Sequence, residues 1–282
     1  MKLILRKNDS ATSLLLFIYN NYYSKTSKDD LKLSSLLAIL KAFDKNETAI
    51  RMSLSRAVKS GFLINSKVAG EVVYTLSPMG KQAIKLWNQG VICYWKRYRL
   101  RRQPWDGKWH IVNIEFSDDK KQRQEIIDKL EQYGFALINA NTWISPYYQK
   151  DEVDELIKEY NLEKSIVEIH GEIKLRREMD GFIESIYCLD GLGKKYGEFV
   201  STYAEKLQQI KEVYKDSRFI DSGKALPLLH ELGWHFFNIA SDDAVLPMQL
   251  RSHWEGDEAA DLMSELREML MEASMKFFEK LE

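Results

Sequence analysis

TAIRMSLSRAVKSGFLINSKVAGEVVYTLSPMG, residues 48–80, decides how this chain is read. It opens as a helix, turns at Gly61, extends through FLINS, reverses at VAG and returns as EVVYTL. At 3.6 residues per helical turn, Ile50, Leu54, Ala57 and Val58 fall on one side, and Thr48, Arg51, Met52, Ser55 and Lys59 on the other. The first set suits a core. The second mixes cations, hydroxyls and a methyl-bearing side chain and lacks acids, as a helix lying in a DNA major groove requires. Arg56 adds a further cation to the same helix, and Lys67 stands beside the tip of the reversal. Helix, strand, basic turn and strand is the order of the last helix and wing of a winged helix-turn-helix.

Two helices are expected upstream. SLLLFIYNNY (13–22) is apolar, and LSSLLAILKAF (33–43) carries Leu33, Leu36, Leu37 and Leu40 on one stripe. The break DKNE (44–47) supplies Asn46, which can accept a hydrogen bond from the freed amides of the next helix. FLINS and EVVYTL alternate apolar and polar residues over short runs, as strands do. The competing reading is a three-helix packing unit without a ligand.

The net charge of −1 argues against a nucleic-acid binder, but its distribution does not. Residues 1–102 hold 19 Lys and Arg against 6 Asp and Glu; the remainder holds 22 against 36. A basic front on an acidic body suggests that one end meets a polyanion. Part of this charge is the run Lys96, Arg97, Arg99, Arg101, Arg102, interleaved with Trp95 and Tyr98. Either it touches phosphates beside the winged helix or it is a solvated linker helix.

At 282 residues, two domains or three small ones are expected, and 45% hydrophobic content suffices for packed cores. Seven Trp and 14 Tyr argue against disorder. The start, MKLILRKND, meets charge too soon for a signal-peptide core, and no apolar run reaches membrane-spanning length. Cys93 and Cys188 form no motif, so a cytoplasmic chain without a disulfide is expected.

WDGKW (105–109) reads as a turn feeding the strand HIVNIEF, with Val112, Ile114 and Phe116 on one face. The helix DKKQRQEIIDKLEQYG follows, then FALINANTWISP as a strand or pair of strands. A helix over 151–160 and the strand SIVEIHG complete a strand–helix–strand–helix–strand series that is ferredoxin-like. The remainder is mainly helical: about 192–215, 226–239 and 257–281, the last with Asp257 as N-cap. Its stripe Leu262, Leu266, Met269, Leu270, Phe277 packs into its own core or, less often for such stripes, into a dimer seam. The expected fold is therefore α+β, divided into a winged helix-turn-helix (1–90), a basic linker (91–104), a ferredoxin-like middle domain (105–175) and a helical C-terminal domain (176–282).

Enzyme readings fare poorly. In HELGWH the histidines His230 and His235 are five apart, about 140° around a helix, rather than the four that a zinc-protease helix uses. GLGKKYG (191–197) is one residue too long for G-x-G-x-x-G and lacks a surrounding βαβ unit. Neither a P-loop nor G-x-S-x-G occurs. Asp118 and Asp119 follow the first ferredoxin-like strand, where carboxylates paired across a dimer would hold a divalent metal for phosphodiester cleavage. A helix N-terminus enriched in acid explains them equally simply and is preferred. No cofactor is expected.

TSLLLFIYNNYY, AIRMSLSRAVKSGFL, YTLSPMG, WDGKWHIV, YGFALINANTWISP and LPMQLRSHWEGDEAADLMSEL together resemble the PaaX family, repressors of phenylacetate degradation genes. The match spans nearly the whole chain in the family's order, although YxLSxxG is generic to winged helices. The resemblance implies a winged helix for double-stranded operator DNA, a middle domain similar to a small CRISPR-associated nuclease family, a homodimer, and an aryl-acyl-CoA inducer such as phenylacetyl-CoA. One departure is HELGWHFFNIASDDAV, where a more Arg-rich stretch is expected. An acyl-CoA needs cations for its phosphates, for which Arg176, Arg177 or the Lys96–Arg102 run are candidates. It also needs an apolar slot, for which Trp143, Trp234, His235 and Phe236 are candidates, each with core packing as the alternative. The readings from other classes are a metal-dependent nuclease using the middle domain, and an interaction module with an idle winged helix.

Overall fold

The computed structural model describes residues 11–213 and 223–281. The chain divides into two compact units. One comprises the described parts of Leu5–Asn88, Phe199–Phe236 and Ala260–Glu282; the other is built from Gln89–Glu198 and Phe237–Ala259.

The first unit runs α1 (Ala11–Thr26), β1 (Asp30–Lys32), α2 (Leu33–Lys41), α3 (Glu47–Lys59), β2 (Leu63–Val68), β3 (Glu71–Leu76) and the start of α4 (Pro78–Arg101). The three strands form an antiparallel sheet in the order β1-β3-β2. Val68 pairs with Glu71, so Ala69 and Gly70 alone make the turn, with φ of 50° and 86°. Two left-handed residues give the turn whose twist matches the flanking strands. Leu15, Ile18, Leu36, Ile39, Ile50, Leu54, Leu63 and Leu76 form one buried core. Leu226 and Phe278, from α9 (Ala225–Ala240) and α10 (Glu255–Glu279), complete it.

The junction SPMG explains itself physically. The Ser77 hydroxyl donates to the Gly61 carbonyl and accepts from the Gly80 amide at 3.0 Å, with Pro78 at the first helical position. A Cβ at Gly80 would lie 2.4 Å from the Phe62 carbonyl oxygen. Only glycine lets the start of α4 approach the end of α3 so closely.

The second unit follows the order β4 (Trp109–Ile114), α5 (Lys120–Gln132), β5 (Ala136–Asn139), β6 (Thr142–Ser145), α6 (Lys150–Tyr160), β7 (Ile166–Gly171). After it come α7 (Met179–Tyr187) and the start of α8 (Leu189–Val213). Its sheet is antiparallel throughout, ordered β5-β6-β4-β7. Val112, Ile114 and Trp143 bury one face against Ile126 and Leu130 of α5 and Val153 and Leu156 of α6.

The mixed helix-and-sheet expectation holds, and Asn46 caps α3 by accepting from the Ala49 amide at 2.9 Å. FALINANTWISP is a hairpin. One reading changes. Asp257 is no N-cap: α10 begins at Glu255, and the Asp257 carboxylate is engaged elsewhere. The short strand β1 and the helix α7 carry too little periodicity to be foreseen. The start MKLILRKND lies outside the described residues, as do the last two residues of the helix expected over 192–215.

Gly80→Ala should lower the unfolding free energy by about 1–3 kcal/mol, because backbone rather than a flexible side chain must move. Gly197→Ala, at an open position within α8, should raise it by up to about 1 kcal/mol. Urea midpoints at constant slope check both.

Candidate nucleic-acid interface

Helix α3 divides cleanly between core and solvent. Ile50, Leu54 and Ala57 are buried, while Thr48, Arg51, Met52, Ser55, Arg56 and Lys59 are all exposed. The five residues named from periodicity, together with Arg56, therefore stand on the solvent-exposed side of the helix. Met52 keeps 51% of its surface in solvent. The surface is not free of acid, however. Glu47, the first residue of α3, accepts from Arg51 Nε at 3.0 Å and from Nη2 at 2.8 Å. In the hairpin, Lys67 is exposed next to the Ala69–Gly70 turn, and β2 turns most of its length to solvent. Lys32 pairs with Glu71, the first residue after that turn, at 2.9 Å.

The basic run at the end of α4 is not a uniform phosphate-binding surface. Arg99 and Arg102 are exposed, with Arg102 lying 4.9 Å over the Tyr98 ring. Lys96 pairs with Glu152. Arg97 and Arg101 are buried, which corrects the placement of Arg101 among the DNA contacts. Arg101 donates to both Asp257 carboxylate oxygens at 2.7 Å, to the Leu246 carbonyl at 2.6 Å and to the Arg251 carbonyl at 2.8 Å. Arg97 donates to the carbonyls of Gln132 at 2.7 Å, Ala244 at 3.1 Å and Asp243 at 3.2 Å. Burial draws the Arg97 pKa below the usual guanidinium range, and the carbonyls are what make its charge tolerable there. The signal was present in the sequence: Tyr94, Arg97, Tyr98 and Arg101 share the i, i+3, i+4, i+7 spacing of a buried stripe.

Asp243 sits in the same buried network. It accepts from Tyr196 at 2.9 Å, Trp254 Nε1 at 3.1 Å and the Val245 amide at 2.7 Å. Burial raises its pKa, opposed by those three donors. Composition and spacing gave no sign of this residue, because its partners lie 2, 11 and 47 residues away and follow no helix or strand period.

The proposed effector residues are divided between the two units. Trp143 is 2% exposed inside the second unit's core, so it lines no open slot; as the sheet's central aromatic it fills the space under α5 and α6. Arg176 and Arg177 are exposed before α7, and Arg177 reaches Ser185 at 2.9 Å and stacks over Phe182 at 5.2 Å. Trp234 and His235 are half-buried on α9 in the other unit. The His235 ring packs edge-on to Phe199 and Tyr203, and that of His230 to Phe17 and Phe43. Asp119 caps α5, accepting from Lys121 and Gln122 amides at 2.9 and 3.1 Å. Its carboxylate thus has the capping role weighed against metal binding. Among the described residues, no three His, Cys, Asp or Glu side chains converge as metal ligands.

Residues 10–80 match the family of PaaX-like proteins, residues 102–182 the PaaX protein central Cas2-like domain, and residues 187–280 the PaaX-like protein C-terminal domain. The chain belongs to the PaaX family. It is 24% identical over 272 residues to the transcriptional repressor PaaX of Escherichia coli strain K12, spanning 95% of this chain and 83% of that protein. Its fold is similar to that of the uncharacterized protein Rv0674 from Mycobacterium tuberculosis, with a TM-score of 0.58 at 16% identity over 96% of this chain and 98% of that one. This PaaX-family chain has no described helix long and apolar enough to cross a membrane.

Arg101→Ala should cost about 3 kcal/mol or more of stability, since it strands Asp257 and two carbonyls. Arg102→Ala, on the exposed side of the same helix, should stay within about 0.5 kcal/mol of the parent. Urea denaturation of the two variants separates the structural arginine from the solvent-facing one.

Proposed function

We propose that this chain is a DNA-binding transcriptional repressor that seats α3 in the major groove of its operator. The observation that carries this is the exposed face of α3, with Thr48, Arg51, Met52, Ser55, Arg56 and Lys59 open to solvent while Ile50, Leu54 and Ala57 hold the helix to its core. Three cations and a methyl-bearing side chain on one helix face suit base edges and flanking phosphates. Membership of the PaaX family and the likeness to a transcriptional repressor support a regulator rather than an enzyme.

Finer features belong to the same reading. The order helix–strand–helix–helix–strand–strand, with the Ala69–Gly70 turn beside Lys67, supports a winged helix-turn-helix in which the hairpin is the wing. The sheet order β5-β6-β4-β7 supports a ferredoxin-like middle domain. The matched segments 10–80, 102–182 and 187–280 support a division near 1–90, 105–175 and 176–282, with 91–104 lying mostly within α4 instead of forming a separate linker. One winged helix covers too little DNA for strong discrimination, so a homodimer on an inverted repeat is the functional form.

Release requires an effector that binds the DNA-incompetent state more tightly; affinity alone shifts nothing. We assign this role to an aryl-acyl-CoA, with phenylacetyl-CoA first to be tested. Arg176 and Arg177, both exposed, and the exposed Arg99 and Arg102 are the cations for its phosphates. Trp234 and His235 are the partly accessible aromatic groups.

In mobility-shift titrations, Arg51→Ala should cost roughly 1–3 kcal/mol on the operator and relax the preference at one position. Lys67→Ala should weaken binding to every sequence alike and reduce the salt slope by about one. Unchanged operator affinity for Arg51→Ala would overturn the assignment of α3. Phenylacetyl-CoA should raise Tm and release operator DNA, with free CoA much less effective. A panel of acyl-CoAs that does neither would remove this effector while leaving the repressor in place.

A further inference from the structure

Glu47 is the one acid in the thirteen residues of α3, and it stands at the helix's first position. That end of a recognition helix is where base edges are met. An acid there is costly for a helix that must approach phosphates. A helix N-terminus favours negative charge, but that need is shared by many first-turn positions and does not require an acid on the DNA-facing side.

Its contacts give it a more specific role. Glu47 Oε1 accepts from Arg51 Nε and from one Nη2 hydrogen, at 3.0 and 2.8 Å. This occupies one edge of the planar guanidinium. The opposite pair of donors, on Nη1 and Nη2, is left pointing away from the carboxylate. Those are two parallel N–H groups with the spacing of guanine O6 and N7. An arginine on a four-bond side chain otherwise samples many rotamers and settles readily on any phosphate. Held by Glu47, it presents one fork in one direction. The carboxylate also repels a phosphate placed close to the pair, so the pair loses affinity for backbone contacts that an isolated arginine would make.

We propose that Glu47 is the positioning residue for Arg51, turning it from a general phosphate contact into a guanine reader. This rests on the reading of α3 as the recognition helix. Both side chains keep 53% of their surface in solvent, so the pair adds little to folding by itself.

The test uses the full chain, duplexes selected from a random pool by the parent protein, and single-base-pair variants of the selected sequence. Glu47→Gln removes the charge with the shape kept. It should leave Tm unchanged and lower the preference for the G·C pair read by Arg51 by roughly tenfold. Binding to unselected duplex should stay equal or become a few-fold tighter. Arg51→Ala should abolish that same preference, and the double variant should discriminate no worse than Arg51→Ala alone, because two residues acting as one unit are not additive. If Glu47→Gln keeps full discrimination at the position that Arg51→Ala erases, the positioning role is wrong while α3 remains the reader. If it weakens all duplexes equally with or without Arg51, Glu47 serves the helix and not the base. If Arg51→Ala also keeps full discrimination, the recognition-helix reading itself fails.

Discussion

Two guanidinium groups placed inside protein set the terms for the second unit. Arg97 and Arg101 occupy one side of the last turns of α4, where a buried cation is tolerable only when every direction of its fork meets an oxygen. The backbone of residues 243–251 supplies most of those oxygens: carbonyls of Asp243, Ala244, Leu246 and Arg251, with Asp257 adding a carboxylate. The loop between α9 and α10 has no regular structure of its own, so its carbonyls need such donors as much as the arginines need acceptors. The Met248 amide returns the favour by donating to the Arg101 carbonyl at 3.1 Å, satisfying part of the end of α4.

Asp243 extends this exchange. Tyr196 and Trp254 bring it hydroxyl and indole donors, and Tyr147 donates to the Val245 carbonyl at 2.6 Å. The motif LPMQLRSHWEG therefore enters a polar core through its Leu246 and Arg251 carbonyls and the Trp254 indole. Val245, with φ of 54°, and the close packing of Gly256 against the Trp254 ring show a backbone fitted to its donors instead of to helix or strand propensity. Such a network is all-or-none: complete it specifies one arrangement, and with one member removed it leaves several groups unpaired in a low-dielectric interior.

The first unit works under a different constraint. Its apolar core holds α3 by three residues and leaves the remainder of the helix uncommitted, so sequence on the outer face is free to follow a ligand. Gly80 and Ser77 tie the end of α3 to the start of α4, which fixes the hairpin base without using any residue of the exposed face. The candidate reading surface is thus separated from the folding requirement of the unit. The exposed cations there are not needed to hold the helix to its core, whereas Arg97 and Arg101 are built into the interior.

That separation explains what was legible in the chain. Local rules wrote α3, its Asn46 cap, the hairpin and the strand–helix series, because 3.6- and 2-residue periodicities reflect which side of an element meets a core nearby in sequence. The same rules set the exposed face of α3, since whatever is excluded from the apolar stripe must face out. The basic run at 96–102 was legible as charge but not as destination. Its arginines divide between solvent and interior according to whether a loop some 145 residues later reaches them, as the Arg101–Leu246 contact shows. Trp143 was equally ambiguous: an aromatic ring suits a ligand slot or a core, and only the packing of α5 and α6 over β6 decides for the core. The strand β1 exists because β3 offers it partners from Val73 to Thr75, not because three residues prefer to be extended. By itself the sequence determined most of the elements, their solvent-facing sides and the helical stripe that holds Arg97 and Arg101, through short-range periodicity and capping; the tertiary structure alone decided which oxygens meet those buried charges, because most of the partners lie far along the chain.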